Sequence, residues 1–321
     1  MMTPDQAAWF AETFQALTAN VGQAVLGKEH TVRLAMTAML AEGHLLLEDA
    51  PGTGKTSLAR ALAATVQGTH HRIQFTTDLL PSDVTGVSVY EQSTGRFVFH
   101  PGPIFASIVL ADEINRASPK TQSALLEVME ESRVTVDGEP HSVGRPFMVI
   151  ATQNPIEQAG TYKLPEAQLD RFLIKTSIGY PDHASTVEIL SGATERDRTA
   201  RLSPKITTDA LADMMDMAST VHVDEAVLDY VSRLAEATRE DSRTRLGVSV
   251  RGCLSIVRCA KVWAASLGRP FVIPDDIKDL ALPVLAHRLV LDLEAEFAGV
   301  TGAEVLEDVV ATTAPPVERV V

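Results

Sequence analysis

A glycine-rich loop set between an apolar strand and a helix constrains this chain more than any other feature. Leu45-Leu-Leu47 runs into Asp49-Ala-Pro-Gly-Thr-Gly-Lys-Thr56, and Ser57 to Val66 follows with Leu58, Leu62 and Val66 on one helical face. Strand, loop and helix in this order make a phosphate cradle, because glycines let backbone N–H groups close on an anion and the helix N-terminus adds a favourable dipole. Pro51, Gly52, Thr53, Gly54, Lys55, Thr56 and Ser57 form that cradle. Lys55 reaches the β- and γ-phosphates of a nucleoside triphosphate, and Thr56 holds Mg²⁺. The first position of the pattern is Asp49, where the strict motif has glycine.

A second, acidic element fits the same chemistry. Ile108-Val-Leu-Ala111 ends in Asp112-Glu113, which puts two carboxylates at the C-terminal edge of a buried strand, where open α/β sheets bind ligands. In a phosphoryl-transfer site Asp112 supports the metal, while Glu113 orients and helps deprotonate the attacking water. The alternative is helix capping, since Asn115 and Ser118 lie just downstream. Phe147 to Ala151 leads to Thr152-Gln-Asn154. There Asn154 can hold the lytic water or sense the γ-phosphate, or it can serve turn chemistry before Pro155. His70-His71 has no third metal ligand at useful spacing, and a loop pair ahead of a strand is expected.

Periodicity in Val32, Ala35, Met36, Met39 and Leu40 predicts a helix leading into the first strand. Apolar runs at Leu45–Leu47, Ile73–Phe75, Ile108–Ala111, Phe147–Ala151 and Phe172–Ile174, with helical stretches between several of them, predict a parallel sheet covered on both faces. Two insertions interrupt that rhythm. Val87–Tyr90 and Phe97–Phe99 flank Gln92-Ser-Thr-Gly95, and Val134–Val136 precedes Asp137-Gly138, so each reads as a projecting β-hairpin. The strand rhythm stops near Gly179-Tyr-Pro181. Residues 1–180 are expected to form the sheet domain with its N-terminal helix and hairpins, 181–204 a linker, 205–305 a helical domain, and 306–321 a flexible tail. Asp224 and Ser249 are placed to cap helices, Pro274 precedes a first turn with Asp275 and Asp276, and Met214, Met215 and Met217 read as helical core.

Composition narrows the partners. With 28 Lys and Arg against 42 Asp and Glu, the formal charge is −14, which works against long-range attraction to nucleic acid or anionic lipid. The hairpin tips are poor in Lys and Arg as well. Cys253 and Cys259 sit in an apolar helical stretch and suit buried thiols in a reduced compartment. Met1 to Leu17 lacks a signal peptide's basic start and apolar run, and no apolar stretch of about 18 residues follows. A cytoplasmic protein without direct membrane insertion is expected.

Asp112-Glu-Ile-Asn-Arg-Ala117, Ala151-Thr-Gln-Asn-Pro155 and Leu164-Pro-Glu-Ala-Gln-Leu-Asp-Arg-Phe172 resemble, in that order, the signatures of the AAA+ ATPases and specifically of the MoxR family. The resemblance runs from Val25 to Leu289. It implies an AAA+ three-layer α/β sandwich with a five-stranded parallel sheet of order 5-1-4-3-2 and a C-terminal all-α lid. It implies a homo-oligomeric ring, expected to be a hexamer, with ATP or ADP and Mg²⁺ at subunit junctions. Asn154 matches sensor 1, Arg171 the arginine finger extended into a neighbour's site, and Arg251 sensor 2; Leu26 and Gly27 resemble the strip beside adenine. Without the resemblance, Arg171 reads equally as a surface ion pair and Arg251 as a solvated helical residue. The implied activity is Mg-dependent ATP hydrolysis driving chaperone-like remodelling, complex assembly or cofactor insertion in a client protein, with a separate von Willebrand factor A domain partner. A nucleic-acid motor and a nucleotide-gated scaffold with little hydrolysis are the alternatives.

Overall fold

The computed structural model describes residues 1–49, 52–154, 161–162, 164–191 and 198–316. In chain order the first elements are α1 (Pro4–Gly22), α2 (Glu29–Leu40), β1 (Leu45–Glu48), α3 (Lys55–Thr65), β2 (His70–Gln74) and α4 (Pro81–Thr85). The hairpin strands β3 (Gly86–Glu91) and β4 (Arg96–Pro101) precede β5 (Ile108–Asp112) and α5 (Pro119–Glu131). A second hairpin, β6 (Arg133–Val136) and β7 (Glu139–Ser142), leads to β8 (Met148–Gln153), α6 (Glu166–Leu169), β9 (Ile174–Thr176) and α7 (His183–Ser191). The remainder comprises α8 (Thr208–Ser219), α9 (Glu225–Glu240), β10 (Thr244–Leu246), α10 (Val250–Ser266), α11 (Pro274–Leu285), β11 (Val290–Leu291), α12 (Leu293–Phe297) and α13 (Gly302–Thr312).

The main sheet has the order β2-β5-β8-β1-β9, which is the expected 5-1-4-3-2 read from its other edge with the hairpin strands left out. β2 pairs with β5, β5 with β8, and β8 with β1, all in parallel. β5 is buried along its whole length and β8 up to Thr152. Strands covered on both faces carry continuous apolar runs, and those runs made them legible.

Two strand starts differ from the expected ones. His70 and His71 pair with Ile108 and Val109, so they are strand residues and not a loop pair; a buried neighbour recruits polar residues that have no strand pattern of their own. β9 begins at Ile174, because Phe172 is still part of the turn after α6, its N–H donating to the Leu169 carbonyl at 3.1 Å. Both hairpins form as expected. At the tip of the second, Asp137 (φ 52°) and Gly138 (φ 84°) both adopt the left-handed conformation that a tight two-residue turn demands.

The chain divides into two units, one of Ala16–Leu164 and Thr176–Ala212, the other of Met1–Gln15, Pro165–Lys175 and Asp213–Val321. The first holds most of the sheet. The second is mainly helical and includes the short antiparallel pair β10–β11. Within the stretch expected to be a linker, His183–Ser191 folds as α7. Asp224 and Ser249 cap α9 and α10 as expected, accepting from the N–H groups of Ala226 and Gly252. Met214 and Met215 are buried in the helical unit.

Residues 306–312 of the expected tail instead belong to α13. Thr301 and Glu304 form a reciprocal capping box there, and Val305, Leu306 and Val309 are buried. Residues 317–321 lie outside the described part.

One polar cluster sits deep in the helical unit. The Arg288 side chain, 2% exposed, is paired with Asp170, whose carboxylate and backbone carbonyl both accept from Nη1. Its Nη2 donates to the Phe172 carbonyl at 2.9 Å and the Ser255 hydroxyl at 3.1 Å, and its Nε to the Val284 carbonyl at 2.8 Å. His287 donates from Nε2 to the same Phe172 carbonyl at 3.0 Å. Burial, reinforced by the neighbouring Arg288 charge, pushes the His287 pKa down to about 3.

An unfolded chain protonates this histidine near pH 6.5, so acid favours unfolding throughout the interval between the two values. Its contribution is fully present above about pH 6.5 and declines as pH falls toward about 3, approaching ~1.4 kcal/mol per pH unit well inside that window. Urea unfolding of the wild type between pH 7 and 5 is therefore expected to lose stability more steeply than that of His287→Gln; equal slopes would contradict this assignment.

Candidate functional site

Register brings the sequence-selected residues to one edge. Gln74 stands opposite Asp112, Ala111 opposite Ala151, and Thr152 opposite Leu47. Asp112, one residue beyond Ala111, is thus level with Thr152 and with Leu47, and at about 4.8 Å between neighbouring strands its Cα lies roughly 10 Å from that of Leu47. Only β8 separates the start of the glycine loop from the paired acids. Asn154 follows β8 at the same edge and is buried.

The loop begins at Asp49, whose N–H donates to the Gln153 carbonyl at 3.1 Å. Gly52 and Gly54 have φ of 85° and 97°, and a Cβ on either would stand in open space. Glycine is needed here for its backbone conformation, and the clear space beside it forms the cradle. Gly54 precedes α3 without capping it through a side chain, Thr53 is buried, and Lys55, Thr56 and Ser57 form the first turn. The Lys55 ammonium donates to the Asp49 carbonyl at 3.2 Å. Pro51 lies outside the described residues.

Asp49 itself resolves the departure from the strict motif. Its buried carboxylate accepts from the N–H of Ile178 at 2.6 Å and of Gly179 at 2.8 Å, fastening the segment after β9 to the head of the loop. Thr31 and Lys28 hold the same segment through the carbonyls of Ser177 and Tyr180. Leu26 is half-buried nearby in the chain, and Gly27 adopts φ 67° with so little room that a Cβ would stand 2.3 Å from the Ser185 hydroxyl.

The two acids have different settings. Asp112 Oδ1 accepts from the Thr152 hydroxyl at 2.6 Å, and Oδ2 accepts from Arg72 Nη2 at 2.6 Å and Nε at 3.2 Å. Glu113 has φ 56° and takes its backbone N–H to Thr152 Oγ1 at 2.8 Å. Its carboxylate accepts from Gln74 at 2.8 Å and Arg116 at 2.9 Å. Neither acid caps a helix through its side chain; Ser118 caps α5, accepting from Thr121 N–H. The acidic pair is thereby released from the structural duty that the sequence left open.

Thr56 and Asp112 supply hard oxygen donors, the chemistry Mg²⁺ requires, and the open cradle over Gly52 and Gly54 suits a polyphosphate. Among the described residues no group of three or more His, Cys, Asp or Glu could hold another metal ion, and His71 is engaged with the Pro103 carbonyl at 3.0 Å.

Comparisons with known proteins agree with this geometry. Residues 44–174 match the model of the ATPase family associated with various cellular activities, and 236–309 match the AAA lid domain. The chain is 45% identical over 300 residues to the Bacillus subtilis protein YeaC, covering 94% of each chain. It is 39% identical to the chaperone MoxR1 of Mycobacterium tuberculosis, over 95% of this chain and 82% of that one, and 32% identical to the protein MoxR of Paracoccus denitrificans, over 88% and 90%. The chain belongs to the MoxR family of AAA+ ATPases. A crystal structure of a candidate ATPase from Cytophaga hutchinsonii superposes on this MoxR-family chain with a TM-score of 0.90 at 35% identity, covering 98% of each.

Membership of an AAA ATPase family implies nucleotide binding. Arg171 and Arg251 belong to the helical unit: Arg171 is half-buried in the turn after α6, and Arg251 lies in the first turn of α10, with Nε 3.9 Å from an Asp170 oxygen. Four residues around the acids escaped the sequence reading, namely Arg72, Gln74, Arg116 and Thr152. Arg72 and Gln74 are spaced by two on β2 and so share a face, a signal readable only once β2 is known to lie beside β5. Among the described residues, no helix is long and apolar enough to cross a membrane.

The Asp49 clamp is testable by restoring the strict motif. Asp49→Gly leaves two backbone N–H groups without their acceptor and is expected to lower stability by roughly 1–3 kcal/mol in urea unfolding. An unchanged or higher stability would show that the carboxylate is dispensable.

Proposed function

We propose that this MoxR-family chain hydrolyses ATP with Mg²⁺ and works as a homo-oligomeric ring, a hexamer by family resemblance, to remodel a client protein. The observation that carries this reading is the register across β2, β5, β8 and β1, which sets the lysine–threonine loop and the paired acids on one edge with a single strand between them. In this reading the N–H groups of Gly52 to Thr56 and the Lys55 ammonium hold the phosphates of ATP, and Ser57 completes the turn; Pro51 is assigned to the same cradle. Thr56 and Asp112 would hold Mg²⁺, which would supply positive charge against the phosphates during transfer.

Glu113 orients the attacking water and accepts its proton, and Asn154 helps position that water or senses the γ-phosphate. Because Gln74 and Arg116 hold the Glu113 carboxylate, turning it toward water requires those bonds to yield. Leu26 and Gly27 are assigned to the adenine strip and Arg251 to sensor 2. Arg171 of one subunit enters the neighbour's site, so that transition-state charge is stabilised only in an assembled ring.

Coupling that cycle to strain in a client gives chaperone-like remodelling, complex assembly or cofactor insertion, with a separate von Willebrand factor A domain protein as partner and the cytoplasm as the location. The chaperone name of the Mycobacterium relative supports this direction. A nucleic-acid motor is disfavoured by the charge of −14.

Glu113→Gln is expected to retain ATP binding while losing turnover by roughly 10²–10⁴-fold. Arg171→Ala is expected to lose roughly 10³-fold or more of turnover with the ATP affinity of the isolated subunit nearly intact. Steady-state phosphate release together with calorimetric ATP binding checks both, and wild-type turnover in the two variants would defeat the mechanism. Phosphate release that rises only with added DNA would favour the motor, and none in any condition the scaffold.

A further inference from the structure

We infer that Arg288 and His287 are positioning residues for Arg171, holding the turn that carries it in the one orientation from which it can serve another subunit. The inference rests on the reading of Arg171 as a finger acting between subunits, and it adds residues that neither the motif nor the resemblance singles out.

The geometry lies wholly within the helical unit. Arg171 is flanked by Asp170 and Phe172, and both neighbours are gripped through main-chain carbonyls. Arg288 takes the Asp170 carbonyl at 2.9 Å together with the Asp170 carboxylate, and takes the Phe172 carbonyl at 2.9 Å. His287 adds a second donor to the Phe172 carbonyl at 3.0 Å. The Phe172 ring is itself fully buried, and the N–H groups of Arg171 and Phe172 donate to the Gln168 and Leu169 carbonyls at 3.3 and 3.1 Å, so the peptide units on either side of Arg171 have little freedom to rotate.

The grip is anchored on the helices as well. Arg288 reaches Ser255 of α10 at 3.1 Å and the Val284 carbonyl of α11 at 2.8 Å. A fork of five donors in a fixed plane can satisfy this many acceptors at once; a lysine ammonium cannot.

Stability alone is a weak reason for such a cluster. Burying a guanidinium costs several kcal/mol, and apolar residues of similar volume often replace buried charges without loss. What a buried guanidinium with its Nε and both Nη groups bonded does supply is a defined geometry. A finger contributes through placement of its charge, and a misplacement of about 1 Å can cost ~100-fold in rate. The Asp170 carboxylate also faces Arg251 at 3.9 Å, so the turn is tied to the start of α10 on its second oxygen.

A directional complementation experiment tests this. Full-length Glu113→Gln subunits have a disabled site of their own but can lend a finger, and Arg171→Ala subunits have an intact site but no finger. Mixing the two is expected to recover phosphate release that neither shows alone. Arg288→Lys is then placed on each side in turn. As the lender, in Glu113→Gln/Arg288→Lys mixed with Arg171→Ala, it is expected to cut the recovered rate by ~100-fold. As the recipient, Arg288→Lys mixed with Glu113→Gln is expected to recover nearly fully, with calorimetric ATP affinity within twofold of wild type.

His287→Leu, which keeps the buried site apolar, is carried through the same pair of mixtures and is expected to show the same one-sided loss in smaller degree. It decides the matter should Arg288→Lys fail to fold by circular dichroism. Equal loss on both sides for the folded variants would mean a general structural role and overturn the proposal, as would no loss on either side. Failure of Glu113→Gln and Arg171→Ala to recover any activity together would instead remove the shared-site reading of Arg171, and the proposal with it.

Discussion

Thr152 holds the site together with one hydroxyl. Its Oγ1 donates to the Asp112 carboxylate and accepts from the Glu113 N–H, so a single side chain on β8 fixes the side chain of one acid and the backbone of the next. Because β8 also pairs with β1, the same strand sets the height at which the glycine loop leaves the sheet. A parallel sheet permits this arrangement: every strand ends at the same edge, and polar groups there need not disturb the buried apolar runs behind them. A slip of one residue in either β8 pairing would turn Thr152 to the other face and part the loop from the acids.

The central strands and the loop were legible because their sequence carries a strong physical signature. Continuous apolar runs and a Gly-x-Gly-Lys-Thr turn ahead of a helix each admit few structures, so β1, β5, β8 and α3 follow directly from Leu45–Val66, Ile108–Ala111 and Phe147–Ala151. β2 was harder, since His70 and His71 gain strand conformation from pairing with Ile108 and Val109 and not from their own pattern. The partners of the acids were illegible for a related reason. Arg72, Gln74 and Thr152 are ordinary polar residues until topology sets their strands next to β5.

Other departures have local causes that single-residue rules did not weigh. Asp49 broke the motif in the sequence, yet the carboxylate is useful at that position because two N–H groups of a segment about 130 residues away converge on it. The C-terminal helix carries its start signal upstream of the expected tail boundary, in the Thr301–Glu304 capping box. His287 and Arg288 carried no motif at all. Their importance comes from being brought against Asp170 and Phe172, more than 110 positions earlier in the chain.

The helical unit is assembled from three separate stretches: the first fifteen residues, a short piece around Arg171, and everything from Asp213 onward. That interleaving has a consequence for biosynthesis. As the chain leaves the ribosome, residues 16–164 emerge with nearly all their own partners, while the opening turns of α1 must wait for the last third of the polypeptide. Phe10 and Phe14, completely enclosed in the finished fold, therefore spend much of translation uncovered.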